Sequence, residues 1–256
     1  MSVRILHVSN YREFIPCPRL ARYVECYWSQ LDLNGTPNHI VLPDGCVDIL
    51  FSSQNGEPRS LDLVGLMTAA KTFDLKAGQS FFGIRFRPGM AAAFVPEAAQ
   101  LNNKTEPLEN LASAGARQLF DQLADLADPA EMARAMDGLL RPLEPMDGNV
   151  NALHQLASTG LSLDTFAREA GVSTRHLRRV CLDRAGVSPK YLLRILRFRR
   201  ATDRLARIAA RPAQPNWADF AAACGYYDQA HFIREFQEFT GQTPGRYLQS
   251  LANADR

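Results

Sequence analysis

The chain has 256 residues, of which 46% are hydrophobic and 22% are charged. This composition is typical of a globular protein with room for two domains, and it excludes a disordered or collagen-like chain. No apolar run reaches the roughly 18 to 20 residues that a membrane-spanning helix needs, and the start of the chain lacks the pattern of a secretory signal. We therefore expect a cytoplasmic protein that does not associate with membranes.

The net charge of +2 conceals a difference between the two halves of the chain. Residues 1–148 carry 10 Arg and 3 Lys against 18 acidic residues, a net charge of −5. Residues 149–256 carry 15 Arg and 1 Lys against 9 acidic residues, a net charge of +7. Because each neutralised phosphate releases condensed counterions, the basic half favours a nucleic-acid partner. An ordinary solvated helix surface is the alternative.

The first half is predicted to be rich in β-strands. Alternating or β-branched runs occur in RYVECYWSQLDL, in HIVLPDGCVDILF around the turn Pro43-Asp44-Gly45, and in SFFGIRF. Two amphipathic helices are predicted from about Ala116 to Leu140, with Pro129 at the start of the second. Their apolar stripe either mediates a homodimer or covers the β-rich domain. It consists of Leu119, Leu123, Leu126, Met132 and Met136.

Prolines and a glycine predict a linker at residues 142–149, between a domain of residues 1–141 and a domain of residues 150–256. The expected fold class is α+β. The first domain is expected to be barrel-like or sandwich-like and to end in two helices. The second is expected to be all-α.

The second half contains an internal repeat. Its copies are TFAREAGVSTRHLRRVCLDRAGVSPKYL and DFAAACGYYDQAHFIREFQEFTGQTPGRYL. In each copy a helix with Phe and Ala on its inner face ends at a glycine, Gly171 or Gly225. A second helix then begins at an N-cap residue, Ser173 or Asp228. Each copy is therefore predicted to be a helix-turn-helix.

The outward faces of the two second helices carry side chains that can read bases. Arginine bonds guanine as a fork, glutamine pairs with adenine, and alanine or isoleucine contacts the thymine methyl group. The predicted base-reading residues are Thr174, Arg175, Arg178 and Arg179 in the first copy, and Gln229, Ala230, Ile233 and Arg234 in the second.

A long helix beginning at Pro189 is predicted to join the two copies. Its inner stripe includes Leu192 and Ile195, and arginines cover its other sides. For each arginine, a phosphate contact and an ordinary solvated position are both open. The predicted phosphate contacts are Ser173, Arg194, Arg197 and Asp228.

The two motifs, the helix between them and the closing run CGYYDQAHFIREFQEFTGQTPGRY closely resemble the DNA-binding domain of the AraC/XylS family of bacterial transcription regulators. This resemblance covers roughly residues 150–250. It implies that both second helices enter successive major grooves of double-stranded DNA, about 34 Å apart. Arg175 stands where family members often carry a different residue. The resemblance further implies a first domain that binds a small effector or dimerises, and RNA polymerase as a partner.

Within the first half, PDGCVDILF and FFGIRFRPGM resemble segments of an uncharacterised group of such domains. The candidate effector-binding residues are Asp44, Asp48, Arg85 and Arg87, and internal salt bridges among them are the alternative. Trp28 and the Phe81-Phe82 pair are expected in the core rather than at a ligand.

The main alternative to a regulator is a DNA-targeted thiol enzyme or redox sensor that uses Cys17 or Cys46. Pro16-Cys17-Pro18-Arg19 resembles the Pro-Cys-His-Arg of alkyl-acceptor DNA repair proteins, but Pro18 replaces the histidine that would activate the thiol. Cys26, His39 and Cys46 match no zinc-binding spacing. The chain has no nucleophile elbow, phosphate loop or dinucleotide fingerprint. We therefore expect no cofactor, no metal and no enzyme activity.

Overall fold

The computed structural model describes residues 10–111, 115–143, 162–209 and 215–254. Most of the predicted linker and the first twelve residues of the predicted second domain lie outside these ranges, so the domain boundaries stay predictions. The β-rich first domain and the helical second domain are confirmed. The α+β class is therefore the observed one.

The described part of the first domain has eight strands, and six of them make one antiparallel sheet in the order β1-β2-β7-β4-β5-β8. Strands β3 and β6 pair separately as a second, two-stranded sheet. The strands are β1 (Arg12–Phe14), β2 (Val24–Asp32), β3 (Thr36–Val41), β4 (Val47–Gln54), β5 (Glu57–Val64), β6 (Lys71–Leu75), β7 (Gln79–Phe86) and β8 (Thr105–Pro107).

The tightest hairpin of the large sheet joins β4 to β5 through Asn55 and Gly56. Both residues have positive φ, 52° and 83°, which is the backbone that a two-residue type I′ turn requires. The hairpin sets Phe51 opposite Leu61. Because side chains alternate between the two faces of a strand, this register places Phe51 and Leu61 on the same face of the sheet and their neighbours along each strand on the other face.

One face of the large sheet is covered by two helices, α1 (Ala116–Ala124) and α2 (Pro129–Leu139). Phe51 meets Phe120 of α1 edge to face at 5.8 Å, and the Tyr27 hydroxyl donates to Asp137 of α2 at 2.9 Å. Leu123 and Met136 are buried. The apolar stripe therefore packs against the β-rich domain, one of the two predicted alternatives, and dimerisation through these helices stays a prediction.

The other face of the large sheet lies opposite β3 and β6, so that the two sheets enclose a cavity. His39 on β3 pairs with Phe73 on β6. The predicted barrel-like or sandwich-like architecture is thus two facing sheets of unequal size.

The second domain contains six described helices. The predicted inner positions Leu177, Cys181, Phe232 and Phe236 are fully buried. Pro189 begins the long helix, as predicted. The helices are α3 (Leu163–Glu169), α4 (Thr174–Ala185), α5 (Pro189–Ala209), α6 (Trp217–Ala223), α7 (Gln229–Thr240) and α8 (Pro244–Ala254).

The two domains share contacts along α5 and at the ends of α4 and α7. Three α5 side chains pack against the Gly45 turn of the first domain. At the end of α4, the Ala185 carbonyl accepts a hydrogen bond from Asn102 at 3.2 Å. Near the end of α7, the Phe239 carbonyl accepts from the Ala70 amide at 3.0 Å. Both helix-turn-helix motifs are therefore held by the β-rich domain.

Candidate nucleic-acid interface and candidate effector cavity

Each second helix of the repeat begins at its predicted N-cap. The Ser173 hydroxyl accepts from the His176 amide at 3.1 Å, and the Asp228 carboxylate accepts from the His231 amide at 2.7 Å. These bonds satisfy amides that have no partner within the helix. They fix the start of α4 and α7, while the predicted contacts of Ser173 and Asp228 with DNA phosphate stay predictions.

The predicted base-reading side chains lie on the outward surface of α4 and α7. Thr174 and Ile233 are half-buried. The exposed ones are Arg175, Arg178, Arg179, Gln229, Ala230 and Arg234. The Arg179 guanidinium lies 3.4 Å from the His176 ring. These side chains are available to a partner, and their contact with bases remains a prediction.

A groove of about 910 Å³ runs between the two motifs. Arg178 of α4 lines one side, Arg234 of α7 lines the other, and α5 contributes further basic residues. The basic lining residues are Arg178, Lys190, Arg194, Arg197 and Arg234, against the acidic residues Asp164, Glu235 and Glu238. Among the described lining residues, the groove therefore has an excess of positive charge.

A buried acid on α7 engages two of the predicted phosphate contacts. Glu235 is only 4% exposed and bonds Arg194 and Arg197 of α5 at 2.8 Å each. Arg194 also pairs with Glu238 at 2.5 Å, and Arg197 lies over the Tyr226 ring at 4.6 Å. Burial lowers the pKa of Arg194, but its bonds to Glu235 and Glu238 raise that pKa by more, so the net shift is upward.

These ion pairs lock α7 onto α5, a role that the sequence analysis did not assign to Arg194 or Arg197. Both arginines are already engaged within the domain. A contact of either one with phosphate stays a prediction. Glu235 was not singled out from sequence. The sequence does mark Glu235 as unusual, because it is an acidic residue at an inward-facing position where the first copy has Val180.

In the first domain, three of the four effector candidates converge. The Arg85 guanidinium lies 3.3 Å from Asp48 and 3.6 Å from Asp44. Burial lowers the pKa of Arg85, but Asp48 and Asp44 raise it well above its ordinary value. Arg87 does not join them, because its guanidinium donates to the Ala21 carbonyl at 2.8 Å. The candidate set is therefore corrected to Asp44, Asp48 and Arg85.

These three residues line the cavity between the two sheets, which has a volume of about 290 Å³. Trp28 lies along its wall and donates to Asp48 at 2.8 Å. A Cβ atom at Gly83 would lie 2.1 Å from the Trp28 ring, so glycine is required beneath it. Trp28 and Phe82 are buried, as expected, and Trp28 and Phe81 also line the cavity.

Much of the cavity wall could not be predicted from the sequence, because residues from both sheets contribute to it. Gln30 and His39 are buried polar side chains on this wall, and Cys46 also contributes. The alternation in β2 places Gln30 on the same face as Trp28. That face was predictable, but the second sheet opposite it was not.

None of the five cysteines, all of which are among the described residues, forms a disulfide bond. Burial raises the pKa of Cys26 and of Cys181 to about 12, which keeps both thiols protonated at neutral pH. Cys46 is buried, and its sulfur lies 3.5 Å from Glu25 and from Arg199. Within the described ranges, no three His, Cys, Asp or Glu side chains form a group that could hold a metal ion.

Two family models match the chain. Residues 12–107 match a domain of unknown function (DUF6597), and residues 166–250 match the helix-turn-helix domain. No curated protein matches the chain. In the part of the chain that the structure describes, no helix is both long and apolar enough to cross a membrane.

Several solved structures resemble the chain remotely. The C-terminal domain of AraT, a response regulator from Geobacillus stearothermophilus, is 22% identical over 42% of this chain and 88% of its own, with a TM-score of 0.36. ToxT from Vibrio cholerae is 8% identical over 94% of this chain and 99% of its own, with a TM-score of 0.44. ToxT with a bound unsaturated fatty acid is 10% identical over 89% and 95%, with a TM-score of 0.43.

Proposed function

We propose that this chain, which carries an AraC-type helix-turn-helix domain at its carboxyl-terminal end, is a DNA-binding transcription regulator that recognises a specific operator and responds to a small effector. The observation that carries the proposal is the pair of motifs, whose second helices expose base-reading side chains on either side of a basic groove. A protein that binds genomic DNA must be in the same compartment as that DNA, and for this reason we propose a cytoplasmic location.

The groove supports recognition of duplex DNA by both motifs at once. Arg178 and Arg234 come from different motifs, yet they line the same groove. Lys190, between them on α5, is exposed and is free to approach the phosphate backbone between two major grooves. Arg234 is assigned to a base edge, and Lys190 is the better candidate for a phosphate than the engaged Arg194 and Arg197.

The effector response is supported by direct contacts from the cavity wall to α5. Asp44 and Cys46 line the cavity. The Arg199 guanidinium of α5 lies 3.5 Å from the Asp44 carbonyl and from the Cys46 sulfur, and it forms an ion pair with Glu25. A ligand that shifts this turn therefore changes the contacts that position α5, the helix that joins the two motifs.

A second route leads from the cavity to α7. Val64, Gly65 and Met67 line the cavity, and the chain continues directly to Thr68 and Ala70. The Thr68 carbonyl accepts from the Tyr191 hydroxyl at 3.1 Å, and the Ala70 amide donates to Phe239 of α7. The same short segment thus touches the ligand space and the second motif.

The decisive test is selection of genomic DNA fragments by the full-length protein, followed by affinity measurements on the recovered operator. Arg234→Ala should weaken operator binding by about 1 to 3 kcal/mol and leave binding to unrelated DNA nearly unchanged. Arg117→Ala is the matched control, because Arg117 is an exposed arginine of the first domain. Equal loss on all sequences would assign Arg234 to phosphate.

Salt dependence tests the electrostatic part of the proposal separately. The logarithm of the affinity should fall with the logarithm of the salt concentration by about 0.9 for each phosphate contact. Lys190→Ala should reduce that slope by about one contact. A slope near zero in the unaltered protein would refute a phosphate-directed interface. A homodimer and RNA polymerase contact belong to the proposal, and sedimentation on operator DNA tests the first.

A further inference from the structure

The cavity of the first domain combines an apolar wall with a few buried polar groups. Leu50, Val64 and Phe81 are among its apolar lining residues, and the Trp28 ring forms another part of the wall. Its volume of about 290 Å³ lies at the small end of the range for ligand pockets, roughly 300 to 1,000 Å³. A single compact molecule fills such a space.

The charges around the cavity disfavour a charged ligand. Its one lining cation among the described residues, Arg85, is already matched by Asp44 and Asp48. An anion would meet a buried group with a net charge of −1 and would have to displace a carboxylate from Arg85. A cation would have to compete with Arg85 for Asp44 and Asp48. The third lining carboxylate, Asp74, is exposed to solvent and already accepts from the Asn38 amide. An anion and a cation both cost desolvation that an uncharged molecule does not incur.

Gln30 supplies the specific polar contact. Its side chain is 4% exposed and lines the cavity, and its amide nitrogen has no hydrogen-bond partner among the described residues. A buried donor without a partner is destabilising, and a ligand oxygen that accepts from it removes that cost. The unpartnered donor thus points to a ligand that carries an acceptor.

We propose that the cavity binds an uncharged, largely apolar molecule whose carbonyl, ether or hydroxyl oxygen accepts a hydrogen bond from the Gln30 amide. This rests on the proposed effector-binding function of the first domain and specifies its ligand class. Gln30 reads the oxygen, the Trp28 and Phe81 rings pack on the apolar body, and the Asp44, Asp48 and Arg85 cluster rejects charged analogues.

The test uses four probes of similar size that differ in charge and acceptor: acetophenone, ethylbenzene, benzoate and benzylammonium. Binding to the full-length protein is measured by saturation-transfer NMR and calorimetry at millimolar probe. Acetophenone should bind about fivefold more tightly than ethylbenzene, the equivalent of one ordinary hydrogen bond. Benzoate and benzylammonium should bind at least about tenfold more weakly than acetophenone.

Two variants locate the effect. Gln30→Met keeps the volume and removes the donor, so acetophenone and ethylbenzene should bind about equally. Leu50→Phe fills the cavity and should weaken all the probes while circular dichroism shows an intact fold. Binding of benzoate or benzylammonium as tight as that of acetophenone would overturn the proposal. So would an unchanged ratio in Gln30→Met, or no binding of any probe.

Operator binding separates failure of this inference from failure of the proposed function. If no probe binds but Arg234→Ala still loses operator affinity selectively, the ligand class is wrong and the DNA-binding function stands. If probes bind as expected but the protein selects no DNA, the cavity inference stands and the regulator function falls.

Discussion

The two helix-turn-helix motifs match in sequence but are stabilised by different means. The first motif has a small cluster of its own, Phe166, Ala167 and Leu177, which is separate from the main core. The rest of its second helix belongs to the main core through Val180, Cys181 and Ala185. The second motif packs around Phe232, which has four aromatic neighbours. Their ring centroids lie 5.0 to 6.1 Å away, and they are Trp217, Phe220, Tyr226 and Phe236.

The far end of the first recognition helix depends on the β-rich domain. Asn102 caps the Ala185 carbonyl, and Gly186 lies so close to this domain that an added Cβ would come within 1.9 Å of the Ala99 carbonyl oxygen. At the matched Gly241, no atom of the described residues lies within 4 Å of such a Cβ. The second motif is instead held mainly within its own domain, through Glu235 and the aromatic residues.

This difference teaches where an effector signal has most leverage. A motif with a small core of its own changes position at low cost when its external support moves, whereas a motif with a large core resists. The first motif is therefore expected to respond to the first domain more strongly than the second.

Truncation of the central side chain of each motif should produce the largest effect. Phe232→Ala should lower the free energy of unfolding by about 3 to 5 kcal/mol, because it removes a fully buried ring from an aromatic cluster. Leu177→Ala, at the matched position, should cost about 2 to 3 kcal/mol in its smaller cluster. Urea unfolding followed by tryptophan fluorescence measures both. Equal losses would contradict the difference in core size.

The matched glycines after the two recognition helices test the docking of the first motif. Both have positive φ, 66° at Gly186 and 73° at Gly241, so the backbone strain of alanine alone destabilises the protein by about 1 kcal/mol at either position. Gly186→Ala should cost at least about 2 kcal/mol, because its Cβ also collides with the Ala99 backbone. Thermal unfolding, with hydrogen exchange across residues 163–186, measures the difference. A Gly186→Ala protein no less stable than Gly241→Ala would refute the docking.

The buried acid of the second motif should matter more than its exposed neighbour. Glu235→Gln should destabilise by about 1 to 2 kcal/mol, because it removes the charge that Arg194 and Arg197 share. Glu238→Gln, whose side chain is 56% exposed, should change stability by less than about 0.5 kcal/mol.

The same pair of variants tests the predicted phosphate contacts. If Glu235 withholds Arg194 and Arg197 from DNA, Glu235→Gln should increase the salt slope of DNA binding by up to about 0.9 for each freed arginine. An unchanged slope would show that these arginines do not reach phosphate even when released.

The smallest effect is expected from the hydrogen bond between Asn102 and Ala185. Asn102→Ala should cost about 0.5 to 1 kcal/mol. Its more specific signature is faster amide exchange in α4 with no change in α7. Asn110→Ala is the control, since Asn110 is exposed and its amide nitrogen donates to Glu106 within the first domain. Faster exchange in both helices, or in neither, would contradict the separate support of the first motif.

Sequence alone predicted those features that depend on neighbouring residues. The helices of both motifs, their N-caps and the left-handed glycines follow from side chains within a few positions of one another. The inward positions of α4 and α7 follow from helical periodicity. The strands around Pro43-Asp44-Gly45 were predicted in the same way. Local patterns were sufficient because the same few residues form the signal and the structure.

Features that depend on distant pairs were left open by the sequence or were missed. The stripe in α1 and α2 is amphipathic whether it faces a sheet or another subunit, and only the tertiary structure shows that it packs on the sheet, where Phe51 meets Phe120. Arg85 and Arg87 look alike in sequence. Alternation alone would place both on one face of the sheet. Only Arg85 lies within β7 and pairs opposite Asp48, whereas Arg87 lies beyond the end of the strand and donates to the Ala21 carbonyl.

What the sequence by itself determined is a basic carboxyl-terminal domain with two repeated motifs and a β-rich domain before it. The tertiary structure decided which charges are engaged, where the cavity lies and how the domains meet. Arg199 and Glu25 form an ion pair although 174 residues separate them. No local pattern records such a pair, because its energy depends on a distance that exists only after the sheets and helices have packed.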